Sequence, residues 1–248
     1  MQNKFRNRLI RGDKLIGTML TLTSPAVAEI LASSGYDWLF IDCEHGPFET
    51  GDLLSVLQAV GDRAACIVRV SSVAEVPIKK ALDLGAAGII VPQVNTVDQA
   101  RLVVQSARYS PLGSRGVGLA RANGYGMNFQ EYVETANDKI SVMVQAEHVQ
   151  AVENMEAIVQ VEGIDAVLIG PYDLSASLGK MGQINDASVV QAIDHVTTVC
   201  QRAGIKLGIF GVSADAVNPY IQRGYTMIVA GVDTLMLGHA AQALRSQL

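Results

Sequence analysis

Basic residues are scarce in this sequence and never run together. Its 248 residues include 19 Lys and Arg against 24 Asp and Glu, a formal net charge of −5. A phosphate backbone demands a concentrated basic footprint, so this balance argues against nucleic acid as a partner. Cysteine is nearly absent: Cys43, Cys66 and Cys200 share no metal-ligand spacing. An odd count in apolar surroundings reads as reduced, partly buried thiols, which points to the cytoplasm. No apolar run reaches the ~20 residues that span a membrane. The opening MQNKFRNRLIRGDK lacks the apolar stretch of a signal peptide and reads as a short helix before the first strand. A glycine-rich dinucleotide fingerprint, a P-loop and a serine nucleophile elbow are also missing, which removes three common enzyme designs.

What the sequence does have is apolar bulk and glycine. Apolar residues make up 49% of the chain and charged ones 17%, with 23 glycines, as suits a compact enzyme with a large core and many tight turns. A unit recurs in SSGYDWLFID, DLGAAGIIVP, VEGIDAVLIGP and RGYTMIVAG, where a helix ends near Gly35, Gly85, Gly163 or Gly224 and a short apolar run follows. These runs are nearly continuous in hydrophobicity instead of alternating, the mark of strands buried on both faces in a parallel sheet. Eight strands are expected, at 15–21, 37–42, 66–70, 88–94, 140–147, 165–170, 206–211 and 226–232. Eight strands alternating with helices over this length predict a single-domain (β/α)₈ barrel spanning 1–248. The alternative is an open doubly wound sheet, but no dinucleotide fingerprint follows the first strand. Ser24 or Thr23 as N-cap with Pro25 at the first helical position starts a helix at once after strand one. The stretch 110–128 is too long for an idle connection and reads as a lid or interface loop.

A barrel builds its active site at the C-terminal ends of its strands. The residues falling there are Asp42, Cys43, Glu44, His45 and Gly46 after strand two, Arg69 on strand three, and Pro92, Gln93 and Val94 after strand four. Strand five ends in Gln145, Ala146, Glu147 and His148, and strand six in Gly170, Pro171, Tyr172 and Asp173. Glu147 and Asp173 end consecutive strands, so their carboxylates would repel unless a cation or a shared proton lay between them. A hard divalent ion on two protein oxygens satisfies such a site. The plainer reading pairs one carboxylate with an arginine and makes Asp173 a helix N-cap. Arg69 ends an apolar strand and cannot shed its charge, so it must meet an anion, either a neighbouring carboxylate or a substrate oxygen. His45 lies three residues after Asp42, and a histidine oriented by a carboxylate is the usual general base. A Schiff-base mechanism would need a lysine at the mouth. Lys4, Lys14, Lys79, Lys80, Lys139, Lys180 and Lys206 all fall elsewhere, so carbanion chemistry here would need a metal.

With these residues in view the chain resembles the HpcH/HpaI aldolase/citrate lyase family, among its class II pyruvate aldolases. The motifs are SPAVAEILASSGYDWLFIDCEHGP, VRV, RGVG, VQAEHVQAVENMEAI, VEGIDAVLIGPYDLSASLG and VAGVDT, which together span nearly the full length. The resemblance implies reversible retro-aldol cleavage of a 4-hydroxy-2-oxo acid to pyruvate and an aldehyde, through a metal-bound pyruvate enolate. It implies Glu147 and Asp173 as ligands of Mg²⁺ or Mn²⁺, with Co²⁺ a further option, and no organic cofactor. His45 would be the proton acceptor, Arg69 the transition-state stabiliser, and Gln145 and Tyr172 substrate contacts. Asp83 would raise the basicity of the histidine from an adjacent subunit, and the assembly would be a homohexamer. Two departures stand out: Tyr172 replaces a usually small residue, and LARANGYG replaces the common text after RGVG. The alternatives are a citrate-lyase-like or malyl-CoA-like thioester lyase and a non-catalytic binding protein on the same barrel.

Overall fold

The computed structural model describes residues 4–248. Helix α1 (Phe5–Arg11) precedes strand β1 (Leu15–Leu20), and Ser24 caps α2 (Pro25–Ser33) by accepting the Val27 amide, with Pro25 at its first position. Then follow β2 (Trp38–Asp42), α3 (Thr50–Val60), β3 (Ala65–Arg69), α4 (Glu75–Asp83), β4 (Gly88–Val91), α5 (Val97–Ala107), α6 (Phe129–Lys139) and β5 (Ser141–Ala146). The chain continues through α7 (Val149–Glu153), α8 (Met155–Ile158), β6 (Ala166–Ile169), α9 (Pro171–Ser177), α10 (Ala187–Ala203), β7 (Lys206–Gly211), α11 (Ala214–Gln222), β8 (Met227–Val232) and α12 (Asp233–Arg245).

All eight strands pair in parallel with their neighbours in sequence, and β8 closes on β1. The closed barrel is therefore realised and the open sheet is not. Strand boundaries differ most at β4, which ends at Val91 instead of reaching 94. Pro92 has no amide to continue the ladder, and Gln93 takes a φ of 53° that leaves the strand conformation. Gly85 turns the chain out of α4 at φ 93°, where any side chain would be strained. Gly163 differs from the expected helix cap: α8 ends at Ile158, and Gly163 belongs to a separate turn before β6.

Strand alternation divides the apolar residues into two cores. One set of side chains points inward and fills the barrel with Leu15, Met19, Trp38, Phe40, Ile67 and Leu168, while the other set packs outward beneath the helices. The second set explains why the strands read as continuous apolar runs. Asp233 ties the barrel seam at the mouth end: its carboxylate accepts the Thr21 and Leu22 amides and the Thr21 hydroxyl.

The 110–128 segment does not cover the mouth of its own barrel. Arg115 is buried between Tyr109 and Tyr132 and pairs with Asp83 at 2.6 Å, while Arg121 donates to the Leu84 and Leu57 carbonyls. These partners lie at the C-terminal ends of α3 and α4, which in a (β/α)₈ barrel face the end opposite the mouth. Of the two expected uses, a lid is not what this chain builds from the segment.

Candidate active site

The period-two alternation that fills the barrel also places its polar rim. Trp38, Phe40 and Asp42 share one face of β2, Ala65, Ile67 and Arg69 one face of β3, and Asp42 stands in register with Arg69. On β5 the same face carries Met143 and Gln145, and Glu147 follows two residues further on. Four polar side chains thus stand on the innermost face at the strand ends, where Asp42, Arg69, Gln145 and Glu147 are each 7% exposed or less. Together with His45, Tyr172 and Asp173, three of them line a cavity of about 560 Å³; Glu147 stands beside its wall, in contact with Gln145.

Arg69 meets a carboxylate, the plainer of its two expected partners. Its Nε donates to Asp42 Oδ1 at 2.9 Å and its Nη2 to Oδ2 at 2.8 Å, a two-point pair in the cavity lining. Burial pushes the Asp42 carboxyl up and the Arg69 guanidinium down. The ion pair outweighs it, leaving Asp42 below and Arg69 above their ordinary values. The remaining nitrogen, Nη1, lies 3.3 Å from Glu44 Oε2.

The expected contact between Asp42 and the His45 side chain is not made. Asp42 Oδ1 instead accepts the Glu44 and His45 backbone amides, turning the chain after β2, because its carboxylate is already committed to Arg69. The His45 ring projects into solvent at 69% exposure, with Nε2 3.9 Å from Glu44 Oε2. Asp83, at the far end of α4, is bound to Arg115 within the chain, so only a second copy could bring it to the His45 ring.

Glu147 is held firmly for a buried carboxylate. Its Oε1 accepts the Gln93 amide at 2.8 Å, and its Oε2 accepts the Gln145 side-chain amide. The left-handed backbone of Gln93 aims that amide, a local strain located at the site. Burial is the main cause that pushes the Glu147 carboxyl up, to about 7; the Gln93 amide opposes it, and Glu44 and Asp173 add to it. Glu44 is raised by burial as well, with Arg69 opposing and Asp42 and Asp173 reinforcing. Asp173 is exposed in the first turn of α9, whose N-cap is Gly170, so the N-cap reading of Asp173 does not hold.

Glu147, Glu44 and Asp173 repel one another electrostatically beside a guanidinium that Asp42 already neutralises, and among the described residues no three His, Cys, Asp or Glu side chains converge as a preformed metal cluster. Carboxylates so placed are chemically compatible with a hard divalent cation. Two details support the fit. A Cβ at Gly170 would fall 3.0 Å from Glu147 Cβ and 3.2 Å from its Oε2, so only glycine leaves that corner clear. Gln145 Oε1 is buried with no hydrogen-bond partner among the described residues, although its amide nitrogen is engaged. Sequence reading gave no role to Glu44, Gln93 or Gly170. All three stood among the mouth positions, but their contacts depend on loop conformation.

The cysteines behave as expected: all three are unpaired, and burial pushes each thiol up to about 12. Among the described residues no helix is long and apolar enough to cross a membrane.

Comparison with known proteins identifies the family. Residues 15–240 match the HpcH/HpaI aldolase/citrate lyase family. A 2-keto-3-deoxy-L-rhamnonate aldolase from Klebsiella pneumoniae is 40% identical over 243 residues, covering 97% of this chain and 91% of that one. Among solved structures, an HpcH/HpaI aldolase/citrate lyase family protein from Burkholderia cenocepacia superposes with a TM-score of 0.94 at 36% identity, covering 98% of each chain. The HpcH/HpaI aldolase from Desulfitobacterium hafniense gives 0.89 at 31% identity, covering 98% of this chain and 95% of that one.

Proposed function

Because the chain belongs to the HpcH/HpaI aldolase/citrate lyase family and is a carbon–carbon lyase, we propose that this single-domain barrel is a class II pyruvate aldolase. It cleaves a 4-hydroxy-2-oxo acid reversibly to pyruvate and an aldehyde. The relatives' substrate, a 2-keto-3-deoxy acid, belongs to the same chemical class. The observation that carries the reading is the polar rim, where Glu147, fixed by Gln93 and Gln145, feels the charges of Asp173, Glu44 and Arg69.

Glu147 and Asp173 would hold the divalent ion, Mg²⁺ or Mn²⁺, with Co²⁺ a further option. When bound it supplies Lewis acidity that makes protons next to a keto group acidic. The residues of this chain do the rest. Gln145 and the corner at Gly170 position the 2-oxo acid head. Arg69, held in place through two bonds to Asp42, presents Nη1 towards the keto oxygen as negative charge develops there. His45 accepts the proton of the C4 hydroxyl, directly or through one water. The C3–C4 bond then breaks, its electron pair passes to the three-carbon fragment, and protonation at C3 completes pyruvate. Asp83 of a neighbouring copy would orient the His45 ring, which makes a homo-oligomer, a hexamer by family resemblance, the active form. The compartment we assign is the cytoplasm.

A thioester lyase on the same scaffold is less well supported. A coenzyme A substrate calls for several free basic groups at the mouth, and among the described residues lining the cavity Arg69 is the one Lys or Arg, already paired with Asp42. The deciding experiment measures pyruvate formation from a panel of 4-hydroxy-2-oxo acids, using protein stripped with chelator and resupplied with Mg²⁺ or Mn²⁺. Release restored by metal supports the aldolase; no release from any acid with metal bound removes it.

A further inference from the structure

The left-handed backbone of Gln93 has to be held by something. A non-glycine residue at a φ of 53° persists only where its surroundings fix it, and here its amide is one of two groups that hold Glu147. The Gln93 side chain is exposed and makes one long hydrogen bond, accepting Asn95 Nδ2 at 3.5 Å. Its anchor therefore lies elsewhere in the β4–α5 loop.

Asn95 supplies that anchor, because side chains from two other elements bind both of its backbone polar groups. Its amide donates to Gln99 Oε1 at 2.7 Å, and Gln99 is the residue that closes the capping box of α5. Its carbonyl accepts Asn154 Nδ2 at 2.8 Å. Between Gln93 and Asn95, Val94 is buried in the core. Asn154 lies at the junction of α7 and α8, further along the stretch of chain that carries Glu147. That stretch grips the loop twice, through Glu147 at the Gln93 amide and through Asn154 at the Asn95 carbonyl.

The side chain of Asn154 is diverted from its ordinary local use. An asparagine at a helix N-cap accepts an amide of its own first turn. Asn154 is the N-cap of α8 and makes no such bond; only its backbone carbonyl accepts the Ala157 and Ile158 amides. Its side chain turns instead to a carbonyl on a different loop.

Building on the reading of Glu147 as a metal ligand, we propose that Asn154 is a positioning residue of the metal site, acting on Glu147 through the β4–α5 loop. By holding the Asn95 carbonyl it keeps Gln93 left-handed, with its amide aimed at Glu147 Oε1. Without that bond Gln93 relaxes towards an extended conformation, the amide turns away, and one carboxylate oxygen of Glu147 loses its fixed direction. All of these bonds are made within one chain, so the effect does not depend on a neighbouring copy.

Asn154→Ala and Asn154→Ser test this. Serine is too short to reach the Asn95 carbonyl but remains a good N-cap for α8, which guards the fold. The readouts are hydrogen exchange at the Gln93 amide in metal-free protein, Mn²⁺ affinity by calorimetry and stability by urea unfolding. Both variants should speed Gln93 exchange by at least about tenfold and raise the Mn²⁺ dissociation constant by about 10–100-fold. Met155→Ala is the control, since Met155 is buried in the core at the same junction. It should lower the unfolding midpoint and leave the other two readouts within about threefold. Asn154 variants that lose stability yet keep Mn²⁺ affinity within about threefold overturn the proposal and make Asn154 a structural tie. Met155→Ala weakening Mn²⁺ binding as much as they do overturns it too. Glu147→Gln separates this proposal from the reading beneath it. If wild-type protein binds no Mn²⁺, or Glu147→Gln binds it equally well, the ligand assignment falls and this proposal with it. Mn²⁺ held through Glu147 but indifferent to Asn154 overturns the positioning role alone.

Discussion

Arg69 and Asp42 form a two-point ion pair at the floor of the mouth, with Nε–Oδ1 at 2.9 Å and Nη2–Oδ2 at 2.8 Å, and both side chains are buried. The pair fixes the guanidinium plane so that only Nη1 is presented upward, towards Glu44. Breaking one side of such a pair leaves an uncompensated buried charge. Asp42→Ala should therefore destabilise the fold by about 3–5 kcal/mol, whereas the double replacement Asp42→Leu with Arg69→Met should cost less than either single change. Urea unfolding of the three variants checks this; a double variant no better than the worse single one would remove the argument.

Glu147 makes stability and metal uptake depend on pH in opposite senses. Its carboxyl is pushed up to about 7 from an ordinary 4.5, so between those values the folded chain binds a proton that the unfolded chain has lost. The stabilisation from this group is complete below about 4.5 and is lost as pH rises through about 7, at most roughly 3 kcal/mol. Metal competes with the same proton, so apparent affinity should weaken by up to about tenfold per unit as pH falls below 7. Unfolding in chelator and metal titration at pH 5, 6 and 8 should show both trends in the wild type. Glu147→Gln should flatten the first and abolish binding in the second.

His45 is exposed and lies apart from Glu147 and Asp173 in its contacts. His45→Ala should lower kcat for aldol cleavage by about 10²–10⁴-fold and leave the metal dissociation constant within about threefold. Isothermal titration alongside single-turnover cleavage tests the two halves separately. Metal loss on removing His45 would place the ring in the ligand set instead.

Asp83 and His45 stand at opposite ends of one barrel, and Asp83 is held there by Arg115. If they meet, they meet between copies. Mixing Asp83→Asn with His45→Ala protein under conditions that exchange subunits should restore activity, up to about a quarter of wild type for random pairing, because some interfaces then carry both intact residues. Each variant remaining as inactive in the mixture as alone would assign Asp83 to the support of Arg115 only.

Gly170 gives a compact check on the ligand corner. Gly170→Ala places a methyl group 3.0 Å from Glu147 Cβ, at a residue whose φ of −104° any amino acid adopts. The backbone should tolerate it while the Glu147 carboxylate is displaced, so metal affinity should fall by about tenfold or more with a smaller change in stability. Equal losses of both would mean that the contact is simply structural.

The barrel was legible in the amino-acid order because its determinants are local. Helix stops near glycine, continuous apolar runs and the Ser24–Pro25 start each act within a few residues, and alternation then dictates that Asp42, Arg69, Gln145 and Glu147 share one rim. Only tertiary structure decided how those rim groups divide their bonds. Asp42 adjoins His45 in sequence yet binds Arg69, because a buried guanidinium across one strand register competes better for a carboxylate than an exposed imidazole does. The left-handed Gln93 and the space beside Gly170 likewise arise where distant segments close on one another, and no spacing along the chain encodes such distances.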